Sequence, residues 1–310
     1  MHYQWIEHPD QILSIADALK NSPSNALDTE FIKVDTLYPK LGLLQVNVNQ
    51  NIYLVDGKLD LAPIWESVFN ARLNVFHACG EDVDLIYHYA QHRPLNNVFD
   101  TQIAMSFLGY GRQVGYQAAL EQVLQVNVEK DQTRSDWLAR PLSEDQIRYA
   151  VSDVYYLQDL ADQLIDQLKK KQHYEFVIED CNNYCLSMAE QLPIDDIYLD
   201  TANYRHNSKQ LMQLKQITTW REKLAIELNQ PRSYILKNNT INKLLERTPK
   251  TPHHLVGLDI KSGVIREYGK TIIKLLNDLP TSDTWPKRLA RPYRYQNPLI
   301  KERVDQKFWM

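Results

Sequence analysis

The 310-residue chain has little cysteine, with only Cys79, Cys181 and Cys185. Three thiols at this spacing make neither a disulfide framework nor a four-cysteine zinc site, so a reduced, cytoplasmic setting is expected. Nine glycines and fourteen prolines exclude a collagen-like or low-complexity chain. No apolar run reaches the ~18 residues of a membrane span, and the opening MHYQWIEHPD lacks the basic-then-apolar pattern of an export signal. No membrane partner is expected. What remains is a globular chain of about two domains.

Charge is plentiful but unevenly placed. Residues 1–172 carry 14 Lys and Arg against 23 Asp and Glu, and residues 173–200 carry seven acids and no base. Residues 201–310 reverse the balance, with 21 basic against 9 acidic. A basic module attracts phosphate backbones without reading sequence. An acidic module that handles a polyanion needs divalent cations to neutralise it. Free drift of surface charge between domains is the plain alternative.

Short branched runs at 25–35, 41–48, 51–56 and 73–78 read as strands, with Asn49-Gln50 as a tight hairpin turn. Apolar spacing of three to four residues predicts helices over 60–70, 81–91, 101–108, 115–126 and 143–169. A strand meander followed by helix–strand alternation implies an α/β fold with a mixed sheet. From about residue 205 the pattern is helical only, over 207–229, 240–247, 252–256 and 262–278. The expected organisation is an α/β domain over 1–172, an acidic, partly helical connector over 173–202, a helical domain over 203–282 and a basic, aromatic tail over 283–310.

Three acidic motifs carry chemistry. Asp28 and Glu30 lie two apart in a predicted strand, so both project from one face. Oxygen-rich carboxylate pairs suit Mg²⁺ and Mn²⁺. Tyr149 and Asp153 are four apart in a helix that opens at the capping residue Ser143, so phenol and carboxylate share a face. Asp82 opens a helix after a strand, where an acid also meets the helix dipole. Each alone is an ordinary surface feature. Their order on these elements is what makes them a signal.

Other patterns fall away on inspection. GVIREYGKT (263–271) has five residues between its glycines and no preceding strand, so it is not a phosphate loop. His88 and His92 have zinc-ligand spacing, but Tyr89 stands where a zinc protease needs glutamate. Cys181 and Cys185 sit one helical turn apart and are expected to pack.

The stretches LDTEF (27–31), YPKLGLLQV (38–46), HACGEDVDL (77–85), FDTQIA (99–104) and SDWLARPLSEDQIRYAVSDVYYL (135–157) resemble ribonuclease D, a tyrosine-containing branch of the four-acid exonucleases. The resemblance implies a ribonuclease H-like mixed sheet flanked by helices, with Asp28, Glu30, Asp82 and Asp153 as metal-binding carboxylates. It also implies that Tyr149 orients the attacking water, while Asp100 supports the site from behind the ligands. Lys130, Trp137 and Arg140 are expected to border the substrate groove. Lys130 or Arg140 would meet a phosphate, and an exposed Trp137 would stack on a base; a packed Trp137 would instead be a core or hinge aromatic. The helical stretch LMQLKQITTWREKLAIELNQPRSYILKNNTINKLLERTPKT (211–251) resembles the HRDC domain, an accessory nucleic-acid-binding unit. Family members often carry a second such module, of which only an opening helix is expected before Met310. The implied activity is two-metal hydrolysis from an RNA 3′ end, with two Mg²⁺ or Mn²⁺ ions and no organic cofactor. Nucleoside 5′-monophosphates would be released, and tRNA precursors are the expected partners. A DNA exonuclease and a catalytically silent nucleic-acid-binding protein are the alternatives.

Overall fold

The structure, a computed structural model, describes residues 2–128, 135–190 and 192–291. It divides into two units, Met1–Val34 with Tyr38–Gln191 and Asp35–Leu37 with Leu192–Met310. Each has its own apolar core.

The first unit is built on a meander. Strands β2 (Asn25–Ile32), β3 (Lys40–Val48) and β4 (Asn51–Asp56) pair antiparallel in sequence. The centre, β3, is buried from Leu41 to Val48, as its run LGLLQVNV requires of a strand with neighbours on both sides. Asn49 and Gln50 close the β3–β4 hairpin with φ of 49° and 66°. Two left-handed residues match the twist of a two-residue hairpin. Parallel strands β5 (Asn74–Phe76) and β6 (Val98–Asp100) extend the sheet past β2, and β1 (Gln4–Ile6) extends it past β4. The order is β1-β4-β3-β2-β5-β6. This is the expected mixed sheet, with two three-residue strands added at its edges.

Helices α1 (Ile12–Asn21), α2 (Ala62–Asn70), α3 (Gly80–Tyr89), α4 (Thr101–Leu108) and α5 (Tyr116–Ala119) come from the connections, α5 continuing as a wider turn to Leu124. Helix α6 (Glu144–Tyr155) lies across β2, β3 and β4, and α7 (Leu157–Lys170) packs on β2 and β5. The single helix expected over 143–169 is thus interrupted at Tyr156, with φ −97° and ψ −1°. Helix α8 (Tyr174–Ala189) packs against β6, burying Val177, Cys181 and Cys185 at four-residue spacing. Residues 173–202 therefore divide between the two units, because this stripe joins the first core. Burial lifts the Cys181 and Cys185 thiols to about 12, which keeps them inert. Asparagines at strand starts close helix ends: Asn25 donates to Leu19 O, and Asn74 and Asn97 both donate to Val68 O. These carbonyls have no partner within their own helices.

The second unit is helical: α9 (Ser208–Leu228), α10 (Arg232–Ile235), α11 (Asn238–Arg247) and α12 (Ser262–Asn277). Asn207 and Gln210 form a reciprocal cap at the start of α9, and left-handed Asn229 ends it one residue before Gln230-Pro231. Leu211, Leu214, Ile217, Ile241, Leu244, Ile272 and Leu276 make the core. Buried Arg221 donates to Leu236 O and Asn238 Oδ1. No helix among the described residues is long and apolar enough to cross a membrane.

Gly42 on β3 marks a close backbone approach in the first unit. A Cβ there would stand 2.5 Å from the Trp137 carbonyl oxygen. The atoms it would meet are the carbonyl and Cβ of buried Trp137, which do not yield easily. Gly42→Ala is expected to lower stability by about 1–3 kcal/mol, read as a lower urea midpoint at unchanged slope.

Candidate active site

The acids gather where the sheet opens. Strand β5 pairs with β2 only at Asn25 and Ala26, which leaves the β2 edge beyond them without a neighbouring strand. Asp82, on the first turn of α3, fills that gap. Its Oδ1 accepts the Thr29 N–H at 3.0 Å and the Thr29 hydroxyl at 2.5 Å. Asp28 and Glu30 project from the other face of the strand. Helix α6 crosses that face and brings Asp153 to them. One ligand oxygen from each of Asp28, Glu30 and Asp153 lies within 4.8 Å of the others. Among the described residues this is the one convergent group of three metal-ligating side chains. Asp82 stands beside it, close enough for its charge to act on Asp28.

Crowding shows in the acidities. Burial first, then the charges of Asp82, Asp153 and Glu30, push the Asp28 carboxyl well above the usual carboxylate range. Burial lifts Asp82 to about 6, against the lowering effect of its Thr29 hydrogen bonds. Gln45, opposite Asp28 in the β2–β3 register, donates to Asp28 Oδ2 at 3.1 Å. Clustered, partly desolvated carboxylates are a hard-oxygen donor set that a divalent cation fits, since it removes both the repulsion and the held protons.

Asp100 holds the turn that delivers Asp82. Its carboxylate accepts four backbone N–H groups, from Gln102 and Ile103 at the start of α4 and from Ala78 and Cys79 in the turn between β5 and α3. Ala78 has φ 60°, a strained value for a residue with a Cβ, just before α3 begins. Asp100 is thus engaged with backbone behind Asp82 rather than turned into the group of three.

The expected substrate contacts lie elsewhere. Trp137 is 3% exposed and part of the core, its ring 6.0 Å from that of Tyr149, so it has no free face for a base. Arg140 has all five N–H donors engaged: on both Asp56 oxygens at 2.7 and 2.9 Å and on the carbonyls of Gly42, Trp137 and Ala139. It fastens a loop to β3 and β4 and offers nothing to a phosphate. Both expectations are corrected on these grounds. Lys130 lies outside the described residues. Tyr149 sits one turn before Asp153 on α6, partly buried. The zinc-spaced His88 stacks on Tyr38 at 3.9 Å, a packing contact.

Sequence reasoning overlooked Thr29, Gln45 and Tyr116. Gln45 was visible as a polar residue inside an apolar strand run. Tyr116 is a phenol whose acidity is depressed by burial and by the charges of Asp153 and Asp28. Nothing in the sequence marks it.

Comparisons with known proteins agree with this geometry. Residues 3–169 match the family profile described as 3′-5′ exonuclease, and residues 210–276 match the HRDC domain. The chain is 33% identical over 307 residues to Ribonuclease D of Pseudomonas paraeruginosa (strain DSM 24068 / PA7), covering 96% of this chain and 81% of the relative. It is 30% identical over 318 residues to Ribonuclease D of Haemophilus influenzae, covering 98% and 79%. The crystal structure of Escherichia coli RNase D, described as an exoribonuclease involved in structured RNA processing, superposes with a TM-score of 0.91 at 26% identity, over 97% of this chain and 81% of that one. The catalytic core of RRP6 from Trypanosoma brucei shares the fold, with a TM-score of 0.67 at 20% identity.

Two tests follow from the geometry. A carboxyl raised in the folded state penalises folding once ionised: the penalty is absent below the ordinary value of 3.8 and complete above the raised one, about 6 for Asp82. In chelator, Asp28→Asn should therefore raise the melting temperature at pH 8 and change it little at pH 4. For Asp56, burial makes the carboxyl a weaker acid, but the Arg140 hydrogen bonds and charge outweigh it and hold its titration below 3.8. Stability from that pair is present above 3.8 and fades as pH falls through the depressed value. Arg140→Gln should cost about 3 kcal/mol at neutral pH, with the loss shrinking in acid and the RNA affinity of the folded fraction unchanged.

Proposed function

Because the chain belongs to the ribonuclease D family, we propose that it is a divalent-metal-dependent 3′-5′ exoribonuclease that releases nucleoside 5′-monophosphates. The observation that carries this reading is the convergence of Asp28, Glu30 and Asp153 at the open end of the sheet, with Asp82 alongside. Asp28, Glu30, Asp82 and Asp153 would hold two Mg²⁺ or Mn²⁺ ions. Such ions, when bound, would make a water more acidic and stabilise the leaving 3′ oxygen. The protein's part is placement. Asp82 arrives through the Asp100 clamp, Asp28 is steadied by Gln45, and Asp153 comes on α6 with Tyr149 one turn earlier. In this reading the Tyr149 hydroxyl hydrogen-bonds the attacking water and aligns it on the scissile phosphorus.

The helical unit complements this chemistry. The excess of positive charge over residues 201–310 suits the backbone of a long, structured RNA, whereas the acidic unit repels all but the few nucleotides its cations neutralise. The similarity to an exoribonuclease of structured RNA processing supports a structured RNA as substrate, and the role we propose is 3′ trimming of tRNA precursors in the cytoplasm.

The purified protein should shorten a 5′-labelled RNA oligonucleotide from its 3′ end with Mg²⁺ or Mn²⁺ and stop with chelator. Asp153→Asn should abolish nearly all turnover. Tyr149→Phe should lower kcat at least tenfold with RNA affinity unchanged. Faster degradation of a DNA of the same sequence would favour a DNA exonuclease. RNA binding with no degradation by any metal-loaded preparation would leave a silent binding protein.

A further inference from the structure

The helix carrying Tyr149 and Asp153 stops at Tyr155, although the apolar pattern runs on to residue 169. The cause lies on another element. The Tyr116 hydroxyl, at the start of α5, donates to Ser152 O at 3.3 Å, and the Tyr156 backbone lies close enough to that hydroxyl to bear on its acidity. Ser152 C=O and Tyr156 N–H are the i and i+4 groups that an uninterrupted helix joins directly. The hydroxyl competes for the Ser152 carbonyl of that rung, and a side chain inserted into the ladder is one of the few established causes of a helix break.

A second side chain holds the broken end. Asn47 on β3, buried in the sheet, donates through Nδ2 to Val154 O at 2.9 Å and to Tyr155 O at 3.4 Å. Asp153 lies between Ser152 and Val154, two of the three residues whose carbonyls are so held. Tyr116 is itself fixed. Its ring lies 5.3 Å from that of His77, whose Nε2 donates to Val114 O at 3.0 Å and whose Nδ1 meets the Thr101 hydroxyl at 2.8 Å.

We propose that Tyr116 and Asn47 are positioning residues for Asp153: they set where the helix breaks, and the break sets the carboxylate against Asp28 and Glu30. The inference rests on reading Asp153 as one of the metal-holding acids. If Tyr156 closed its own bond to Ser152, the last turn of α6 would continue into α7, and the Asp153 side chain would turn with it. Displacements of this kind, well under the size of a side chain, are enough to weaken a metal site.

The test compares the full-length protein with Tyr116→Phe, which keeps the ring and removes only the hydroxyl. The freed Ser152 and Tyr156 groups can pair with each other, so the melting temperature should stay within a few degrees of wild type. Titration of chelator-stripped protein with Mn²⁺ should show affinity weakened about tenfold, and kcat on a short RNA should fall 10–100-fold, the usual range for residues behind a metal ligand, at unchanged KM. Asn47→Ser, which leaves Tyr116 in place, should move both quantities the same way and serves if Tyr116→Phe does not fold. A purely structural role would lower the melting temperature and leave Mn²⁺ affinity and kcat of the folded protein alone. Wild-type Mn²⁺ affinity and kcat in a folded variant would overturn the proposal. Wild-type protein that binds Mn²⁺ but degrades no RNA would defeat the exonuclease reading, while the Mn²⁺ comparison would still decide the positioning. Wild-type protein that binds no Mn²⁺ would defeat both.

Discussion

Mutual repulsion among carboxylates is the constraint around which the first unit is arranged. Asp28 feels Asp82, Asp153 and Glu30 at once, in a setting where burial already disfavours its charge. Left to relax, four such groups would separate. They are held by elements that cannot move apart without breaking the core. Strand β2 is gripped along its length by the buried β3, α6 lies across both, and Asp82 is bound to the edge of β2 itself. The apolar burial of the meander thus offsets the penalty of a site that stores its repulsion until a cation arrives.

The geometry of the site comes from places where regular structure stops. Strand β5 ends early, and the Thr29 N–H it would have paired goes to Asp82. Strand β6 ends at Asp100, which caps α4 and also holds the strained Ala78 turn. Helix α6 ends at Tyr155, and side chains of Tyr116 and Asn47 take its carbonyls. Each interruption leaves polar backbone groups that must be satisfied, and each is satisfied by a residue far away in sequence. Such bonds tie one element's end to another element's middle. They convert local breaks into fixed distances between acids.

This explains what the sequence discloses and what it hides. Asp28 with Glu30 and Tyr149 with Asp153 are legible because strand and helix periods put each pair on one face, and the meander is legible because its strands are long. Strands β1 and β6 are three residues each and show no period at all. Helix α1 had the spacing, in Ile12, Ile15, Ala16 and Leu19, but stands in a region that carried no motif. Trp137 and Arg140 misled for one reason: residue type speaks of what a side chain can do, not of whether it is already engaged. An arginine with five donors on protein acceptors and one facing a phosphate are identical in sequence. The break at Tyr156 was invisible because its cause sits forty residues earlier.

The charge asymmetry gains a sharper meaning from burial. Among the described residues of the helical unit the enclosed charges are few and largely self-contained: Arg221 is capped by Leu236 O and Asn238, and Glu222 is paired with Arg232. Most of the positive excess that the described residues of that unit carry is therefore at the surface, where salt screens it. In the sheet unit the clustered acids are half-buried beside a buried Asp82, where salt screens them less. On the reading proposed, capture of RNA and cleavage of RNA then answer to different conditions. Ionic strength governs the first, through counterions released from the phosphate backbone, and divalent cation with pH governs the second. Two such units in one chain let a polyanion be held without requiring the acidic site to attract it.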